Sequence, residues 1–253
     1  MKPIISTAPS CTSNPIKAIS YAGYRYPPQV ISYTVWLYFR FPLSLRMVEE
    51  ILAQRGIDVS YETVRCWALA FGQHAAKNIR TLALAKGDKW HLDEVVVTIK
   101  GKQCWLWRAV DQNGVVIDVL VQTTRDKEAA ERLLRKLIKK QMGLPRVIIT
   151  DKLRSYAAAT RALGIIREHR QHKGLNNRAE NSHQPTRVRE KVMRRFKSTC
   201  QLQRFCSTHD QINNLFQHCR YHLDAQAKRN NREMAFSRWQ QMTCAENVPV
   251  SSL

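Results

Sequence analysis

The chain has 253 residues, of which 44% are hydrophobic, enough for one large domain or a medium domain with small appendages. Its 41 lysines and arginines against 20 acids give a formal charge of +21, which favours a polyanion such as nucleic acid. An anionic membrane surface fits that sign equally well, but no apolar run reaches the roughly 18 residues that span a bilayer. The N-terminus also lacks the apolar core of a secretory signal, so we expect an intracellular protein with no membrane segment.

The cysteines do not predict a disulfide framework, because the seven are odd in number and scattered. One arrangement carries residue types that ligate zinc: Cys206-x-x-His209 followed by Cys219-x-x-His222. These pairs fall in long helical stretches instead of the turns usual for structural zinc. We therefore favour core or surface helix over a zinc site.

The N-terminal stretch, residues 1–30, is rich in Ser, Thr, Pro and Ala and predicts a flexible arm. An aromatic helix follows over Ile31–Phe41 and is stopped by Pro42. It opens a predicted DNA-binding module that spans residues 31–76.

Two short helices joined by a Gly-containing turn then predict a helix-turn-helix. The first is amphipathic over Leu43–Gln54; Ser60 is the expected N-cap of the second, whose Val64, Trp67 and Leu69 should face inward. The start of the second helix is the part that enters the major groove in such modules. Here it carries Tyr61, Glu62, Thr63 and Arg65. An ordinary helical hairpin is the alternative, and the net charge favours DNA binding.

After a polar connector over residues 77–89, the pattern predicts the element order β-β-β-α-β-α-β-α. The predicted strands and helices are Trp90–Ile99, Cys104–Val110, Val115–Gln122, helix Lys127–Gln141, Arg146–Thr150, helix Leu153–Leu163, Ile165–Glu168, and mostly helix from Asn177. This order predicts an α/β, ribonuclease-H-like catalytic domain over residues 90–200, with a mixed sheet flanked by helices. Residues 201–253 are expected to form a C-terminal helical region and tail.

Three acids occupy positions where a strand or helix should carry them to one place. Asp93 lies on the first strand, Asp151 follows the fourth, and Glu180 heads a basic helical segment. An unpaired buried carboxylate costs several kcal/mol, so we predict that the three bind Mg²⁺, with Mn²⁺ as the alternative. Two such ions a few Å apart promote in-line phosphoryl displacement.

Each acid also has a simpler interpretation. In the alternatives, Asp93 is a turn residue and Glu94 is the ligand, Asp151 caps the next helix, and Glu180 serves only the helix dipole. Taken together, acids at the three positions that this topology requires favour the metal site.

The acids lie in motifs that resemble a known family. His91-Leu92-Asp93-Glu94, Thr150-Asp151-Lys152 and Asn177-Arg178-Ala179-Glu180-Asn181-Ser182-His183 resemble the Asp-Asp-Glu signature of bacterial insertion-sequence transposases, in particular the insertion sequence 6 family. The segments Trp105–Asp111 and Met193–Ser198 are similar to it as well, so the resemblance runs from about residue 30 to residue 220. The stretch before Tyr33 has no counterpart in the family pattern.

The resemblance implies that Asp93, Asp151 and Glu180 are metal ligands and that Arg187 is the basic residue following the glutamate. The spacing of Glu180 and Arg187 would place both on one face of a continuous helix. The implied reaction is Mg²⁺-dependent strand cleavage at the element's ends and attack of the 3′-hydroxyl on target DNA. Two alternatives are a catalytically inactive, transposase-derived DNA-binding protein and a ribonuclease-H-like nuclease that does not join strands.

The expected partner is double-stranded DNA, both the terminal inverted repeats and the target. The expected DNA contacts are Tyr61, Thr63, Arg65, Arg187, Arg189, Lys191, Arg194, Arg195 and Lys197. His183 is a further candidate phosphate contact, with local hydrogen bonding as the alternative. Because transposition holds two ends together, we expect a homo-oligomer, at least a dimer, acting at the nucleoid in a bacterial cytoplasm.

Overall fold

The computed structural model describes residues 17–81, 87–165, 167–217 and 224–243. Its N-terminal part is helical, with α1 over Pro28–Arg40, α2 over Leu45–Ala53 and α3 over Tyr61–Thr81. The Ser60 hydroxyl accepts a hydrogen bond from the backbone N–H of Thr63 at 3.2 Å, which satisfies one of the free donors at the start of α3. The predicted N-cap is thus confirmed.

Helix α3 is longer than the helix-turn-helix pattern predicts. It continues to Thr81, so the residues predicted as the start of a polar connector are helical. The buried Asn78 side chain donates to the backbone carbonyls of Lys17 at 3.0 Å and Met242 at 2.8 Å. Leu69 was predicted to face inward but is 39% exposed, because the helix turns that position towards a surface cleft.

The described part of the N-terminal stretch is folded onto this helical module, whereas residues 1–16 lie outside the described residues. Tyr21 stacks on Phe71 with ring centroids 4.6 Å apart, and Tyr26 donates a hydrogen bond to the carbonyl of Asp58. Tyr24 and Tyr26 of this segment also pack against Phe71 and Trp67 of α3. From residue 17 onwards, the predicted flexible arm is therefore part of the packed fold.

The second part is a five-stranded sheet in the order β3-β2-β1-β4-β5. The strands are β1 Lys89–Ile99, β2 Lys102–Asp111, β3 Val116–Gln122, β4 Val147–Thr150 and β5 Glu168–Gln171. β1 pairs antiparallel with β2, as β2 does with β3, while β1, β4 and β5 run parallel. This is the predicted ribonuclease-H-like topology. β5 lies a few residues later than predicted, because its side chains are mostly exposed and leave no apolar pattern.

Helices cover both faces of the sheet. α4 (Lys127–Gln141) and α5 (Arg154–Ala162) pack on one face, where Leu92, Trp107, Leu133 and Tyr156 form one core. The remaining helices are α6 Asn177–Ser182, α7 Gln184–Val192, α8 Thr199–Leu215 and α9 Ala225–Thr243.

The core on the other face is continuous with the core of the helical module. It joins Val97 and Leu106 of the sheet to Leu202 and Phe205 of α8 and to Phe71 of α3. The apolar stripe of α8 is thus interior to the chain. No helix in the described ranges is long and apolar enough to cross a membrane.

Candidate metal centre and basic cleft

Two aspartates meet where β4 ends beside β1. The parallel register pairs Leu92 with Thr150, so the next residues along the two strands are Asp93 and Asp151. Side chains in register on neighbouring strands point to the same face. Burial, and then the nearby Asp151 carboxylate, raise the pKa of Asp93 to about 6. The two predicted aspartate ligands are therefore brought together.

These two carboxylates fit a hard divalent cation. Asp151 engages one oxygen, which accepts from the backbone N–H of Leu153 at 2.9 Å. The N-cap of α5 is Leu153 and no side chain caps that helix, so the simpler capping role that the sequence left open for Asp151 is not present. The Asp93 side chain is 18% exposed, and its neighbour His183 has a lowered pKa and does not form an ion pair with it. Carboxylate oxygens suit Mg²⁺ or Mn²⁺, and a cation relieves the repulsion between two adjacent anions.

Glu94 is not available as a ligand, because it points to the opposite face of β1. Its Oε1 accepts from Arg125 Nε at 2.8 Å, and its Oε2 accepts from the Tyr156 hydroxyl at 2.8 Å. Burial raises the pKa of Glu94 to about 7 despite these two donors, which act to lower it. These contacts favour Asp93 over Glu94 as the partner of Asp151.

Glu180 does not join the two aspartates in this structure. It lies exposed on the short helix α6, and within the described ranges no three His, Cys, Asp or Glu side chains are grouped closely enough to hold a metal ion. The helix itself does lie at the site, since His183 caps α6 and its Nε2 is 3.4 Å from Asp93 Oδ2. The structure thus brings two of the three predicted ligands together and places the helix of the third beside them.

His183, predicted as a candidate phosphate contact, lies in the interior instead. Only 4% of the residue is exposed, and neither ring nitrogen has a hydrogen-bond partner among the described residues. Burial, and then the positive charge of Arg108, hold the pKa of His183 well below its usual value. His183 is therefore neutral beside Asp93, and the 3.4 Å contact is not an ion pair.

Arg187 lies near the site but not on the helix of Glu180, because the helical path breaks at His183 between α6 and α7. The predicted continuous face is therefore wrong. Arg187 Nη2 donates to the Val96 carbonyl of β1 at 2.7 Å, and Nη1 donates to Glu190 at 3.2 Å. Its guanidinium is held three residues beyond Asp93 and stays partly exposed.

Four of the predicted DNA contacts, from two separate stretches of the chain, line one cleft. Tyr61 and Arg65 of α3 face Arg194 and Lys197 of the α7–α8 turn across a cleft of about 680 Å³. Arg46 and Arg204 add charge, and no acid is among the described lining residues. Thr63, Lys191 and Arg195 lie outside its lining; Thr63 is half-buried near Ser60, and the other two are exposed. Sequence reasoning found these residues but not that they converge.

Arg189 is a correction to the predicted DNA contacts. It is 2% exposed, lies over the Tyr38 ring at 4.6 Å, and donates to the backbone carbonyls of Phe41 at 2.7 Å and Leu43 at 2.6 Å. The Arg189 side chain therefore links α7 to the turn before α2 by hydrogen bonds, and its buried guanidinium cannot contact a phosphate at the surface. Its place within a run of basic residues concealed this role.

The zinc alternative gains no support from the described residues. Cys206 and His209 are buried in α8, where the His209 ring stacks on Phe205 at 5.1 Å and its Nδ1 lies 3.0 Å from Asp210. Cys219 and His222 lie outside the described residues. The described half of the pattern belongs to the core.

Two buried polar groups were missed by sequence reasoning. Arg108 of β2 pairs with Asp210 of α8 at 2.9 Å, and both side chains are almost fully buried. Tyr156 holds Glu94, as described above. A charge in the middle of the apolar Trp105–Asp111 strand was the available signal, because a buried arginine requires a partner.

Comparison with known proteins identifies the family of the chain. The family model that matches the chain is described as a DDE domain and spans residues 87–219, a range that includes Asp93, Asp151 and Glu180. The transposase for insertion sequence-like element IS431mec of Staphylococcus aureus strain N315 is 33% identical over 166 residues, which make up 64% of this chain and 74% of the relative. The transposase for insertion sequence element IS257 in transposon Tn4003 of Staphylococcus aureus matches with the same identity and coverage.

Among solved structures, the HTLV-2 integrase catalytic core domain in complex with magnesium is 19% identical, with a TM-score of 0.32. The match covers 44% of this chain and 84% of that one.

Proposed function

The chain belongs to the insertion-sequence transposases with a DDE domain, of the insertion sequence 6 family, and from this we propose that it moves its own element between DNA sites. In this proposal it binds the terminal inverted repeats, cleaves DNA strands there with Mg²⁺, and joins the 3′-hydroxyl to target DNA. The observation that carries the chemistry is the register of β1 and β4, which sets Asp93 beside Asp151 on one face of the sheet.

Asp93 and Asp151 are the proposed principal ligands of the cation. When bound, a divalent cation activates the attacking hydroxyl or water and stabilises the leaving oxygen of the phosphodiester. The rigid pairing of β1 with β4 keeps the two carboxylates in place, so little reorganisation is needed as charge develops.

Glu180 is the proposed third ligand. A third carboxylate beside Asp93 and Asp151 needs a cation to offset the repulsion among three negative charges. We infer that Glu180, on α6, becomes a ligand when the cation binds. The end of α6 is already at the site, because its C-cap residue His183 lies 3.4 Å from Asp93. Arg187, anchored on Val96, presents a partly exposed guanidinium that is suited to a phosphate of the bound strand.

The basic cleft is the proposed DNA contact surface, since its lysine and arginine side chains attract the phosphate backbone. Tyr61, Thr63 and Arg65 at the start of α3 would read the terminal repeat, and Lys191, Arg194, Arg195 and Lys197 would contact backbone phosphates. Arg65 is now held by the exposed Glu62, a weak pair that DNA can displace. A homo-oligomer, at least a dimer, would hold two element ends together at the bacterial nucleoid.

The test is a strand-transfer assay on DNA carrying the element's ends, with Asp93→Asn, Asp151→Asn and Glu180→Gln as variants. Each should abolish cleavage and transfer in Mg²⁺ while end binding persists. Glu168→Gln, which alters an exposed acid on β5, is the matched control and should retain activity. Transfer that survives in an acid-site variant removes that residue from the site; a wild-type protein that binds ends without cleaving them supports the inactive DNA-binding alternative.

A further inference from the structure

Arg108 places a positive charge on β2, next to Asp93 of the aspartate pair. It lies on β2 directly opposite Asp93 in the antiparallel register, and only 1% of the residue is exposed. A buried guanidinium is retained only where several acceptors satisfy it. Its partners therefore show what the charge holds in place.

Those partners come from three different helices. Arg108 Nη1 donates to the carbonyl of Ser182, the last residue of α6. Nη2 donates to the Thr186 hydroxyl in the first turn of α7 at 2.8 Å and to Asp210 Oδ2 of α8 at 2.9 Å. One side chain thus ties the sheet to α6, α7 and α8.

The tie matters most for α6, which has six residues and carries Glu180. Helices this short are not stable on their own, so their position depends on tertiary contacts. α6 is held at its start by Asn176, whose Nδ2 donates to the Leu92 carbonyl at 2.8 Å. It is held at its end by Arg108, and a cation at a helix C-terminus also suits the helix dipole.

We propose that Arg108, paired with Asp210, is a positioning residue that locks α6 against β2 so that Glu180 is presented to the cation held by Asp93 and Asp151. The inference rests on the proposed function for the identity of the metal site. Arg108 acts through α6 and touches neither metal nor DNA. Its forked geometry is essential, because one group must serve the Ser182 carbonyl, Thr186 and Asp210 together.

The experiment compares the full-length wild type with Arg108→Lys, Thr186→Val and the control Arg189→Lys. Arg189 is as buried as Arg108 and also donates to backbone carbonyls, but it ties α7 to the turn before α2. Two quantities are measured: hydrogen exchange of the backbone amides from Glu180 to His183, and Mn²⁺ affinity by titration calorimetry. Neither requires an active enzyme.

We expect exchange in α6 to be about tenfold faster in Arg108→Lys and in Thr186→Val. We expect Mn²⁺ affinity to fall about tenfold, as for other groups that support a ligand without touching the metal. Arg189→Lys should change neither quantity. If Arg108→Lys does not fold, Thr186→Val decides by the same two measurements.

Unchanged α6 exchange in a folded variant, unchanged Mn²⁺ affinity, or equal changes in Arg189→Lys would overturn the inference. Failure of the proposed function looks different: the wild type itself would then bind no Mn²⁺ or show no cleavage. In that case the exchange measurement still decides whether Arg108 holds α6.

Discussion

Replacing Asp93 with asparagine should stabilise the protein in the absence of divalent cations. The folded state raises the pKa of this carboxyl from 3.8 to about 6, and each pKa unit corresponds to about 1.4 kcal/mol. The ionised carboxylate therefore destabilises the fold by about 3 kcal/mol, an upper value because 18% of the side chain reaches solvent. We expect Asp93→Asn to recover about 2 kcal/mol, a rise in the unfolding midpoint of roughly 4–8 °C for a chain of this size.

The sign of this effect changes with pH in a defined way. Below pH 3.8 the carboxyl is protonated in both states, so it contributes no difference in stability. The destabilisation grows as pH rises from there and is complete above the folded pKa of about 6. The gain in Asp93→Asn should therefore be small near pH 4 and full at pH 8.

The assay is thermal unfolding in EDTA over that pH range, followed by circular dichroism. Asp58→Asn removes an equal charge at an exposed position and controls for the change in net charge of this basic chain. Adding Mg²⁺ should raise the midpoint of the wild type and leave Asp93→Asn nearly unchanged. A variant that is no more stable than wild type at pH 8, or whose gain is the same at pH 4, would refute the argument from the raised pKa of the buried Asp93 carboxyl.

Three further predictions concern the surroundings of the site. Tyr156→Phe should lower the free energy of unfolding by about 1–3 kcal/mol in urea denaturation, because it leaves the buried Glu94 Oε2 without its donor; an unchanged midpoint would contradict this. Arg194→Ala combined with Lys197→Ala should reduce the salt dependence of DNA affinity by about two units of log–log slope, whereas Arg189→Lys, altering a buried arginine, should leave the slope unchanged. Ser60→Ala should cost about 1 kcal/mol by removing the N-cap of α3, and Ser20→Ala, altering an exposed serine, should cost less in the same thermal assay.

Patterns in the sequence located the elements whose side chains face a core. The amphipathic period of α4 predicted Lys127–Gln141, the bounds that the structure has. β5 was misplaced, because an exposed edge strand has no apolar alternation to reveal it. The length of α3 was also underestimated, since its last turns are buried by the N-terminal stretch and α9, contacts that local sequence does not encode.

For the candidate site too, the sequence identified the residues and the tertiary structure separated their roles. The motifs identified Asp93 and Asp151, but the choice between Asp93 and Glu94 depended on which face of β1 each occupies and on what covers that face. The basic run after Glu180 predicted phosphate contacts as a group. Burial then separated Arg189, which binds carbonyls inside, from Lys197, which lines the cleft.

By itself, the sequence determined the order of the elements, the acidic residues of the three motifs and the net positive charge, because periodicity, residue chemistry and net charge are local or additive properties. Tertiary structure alone decided that Asp93 lies beside Asp151, that His183 is neutral and buried, and that two distant basic segments share one cleft. These follow from strand register and helix packing, which join residues far apart in the chain. A side chain's charge acts through the neighbours and solvent that this packing assigns to it.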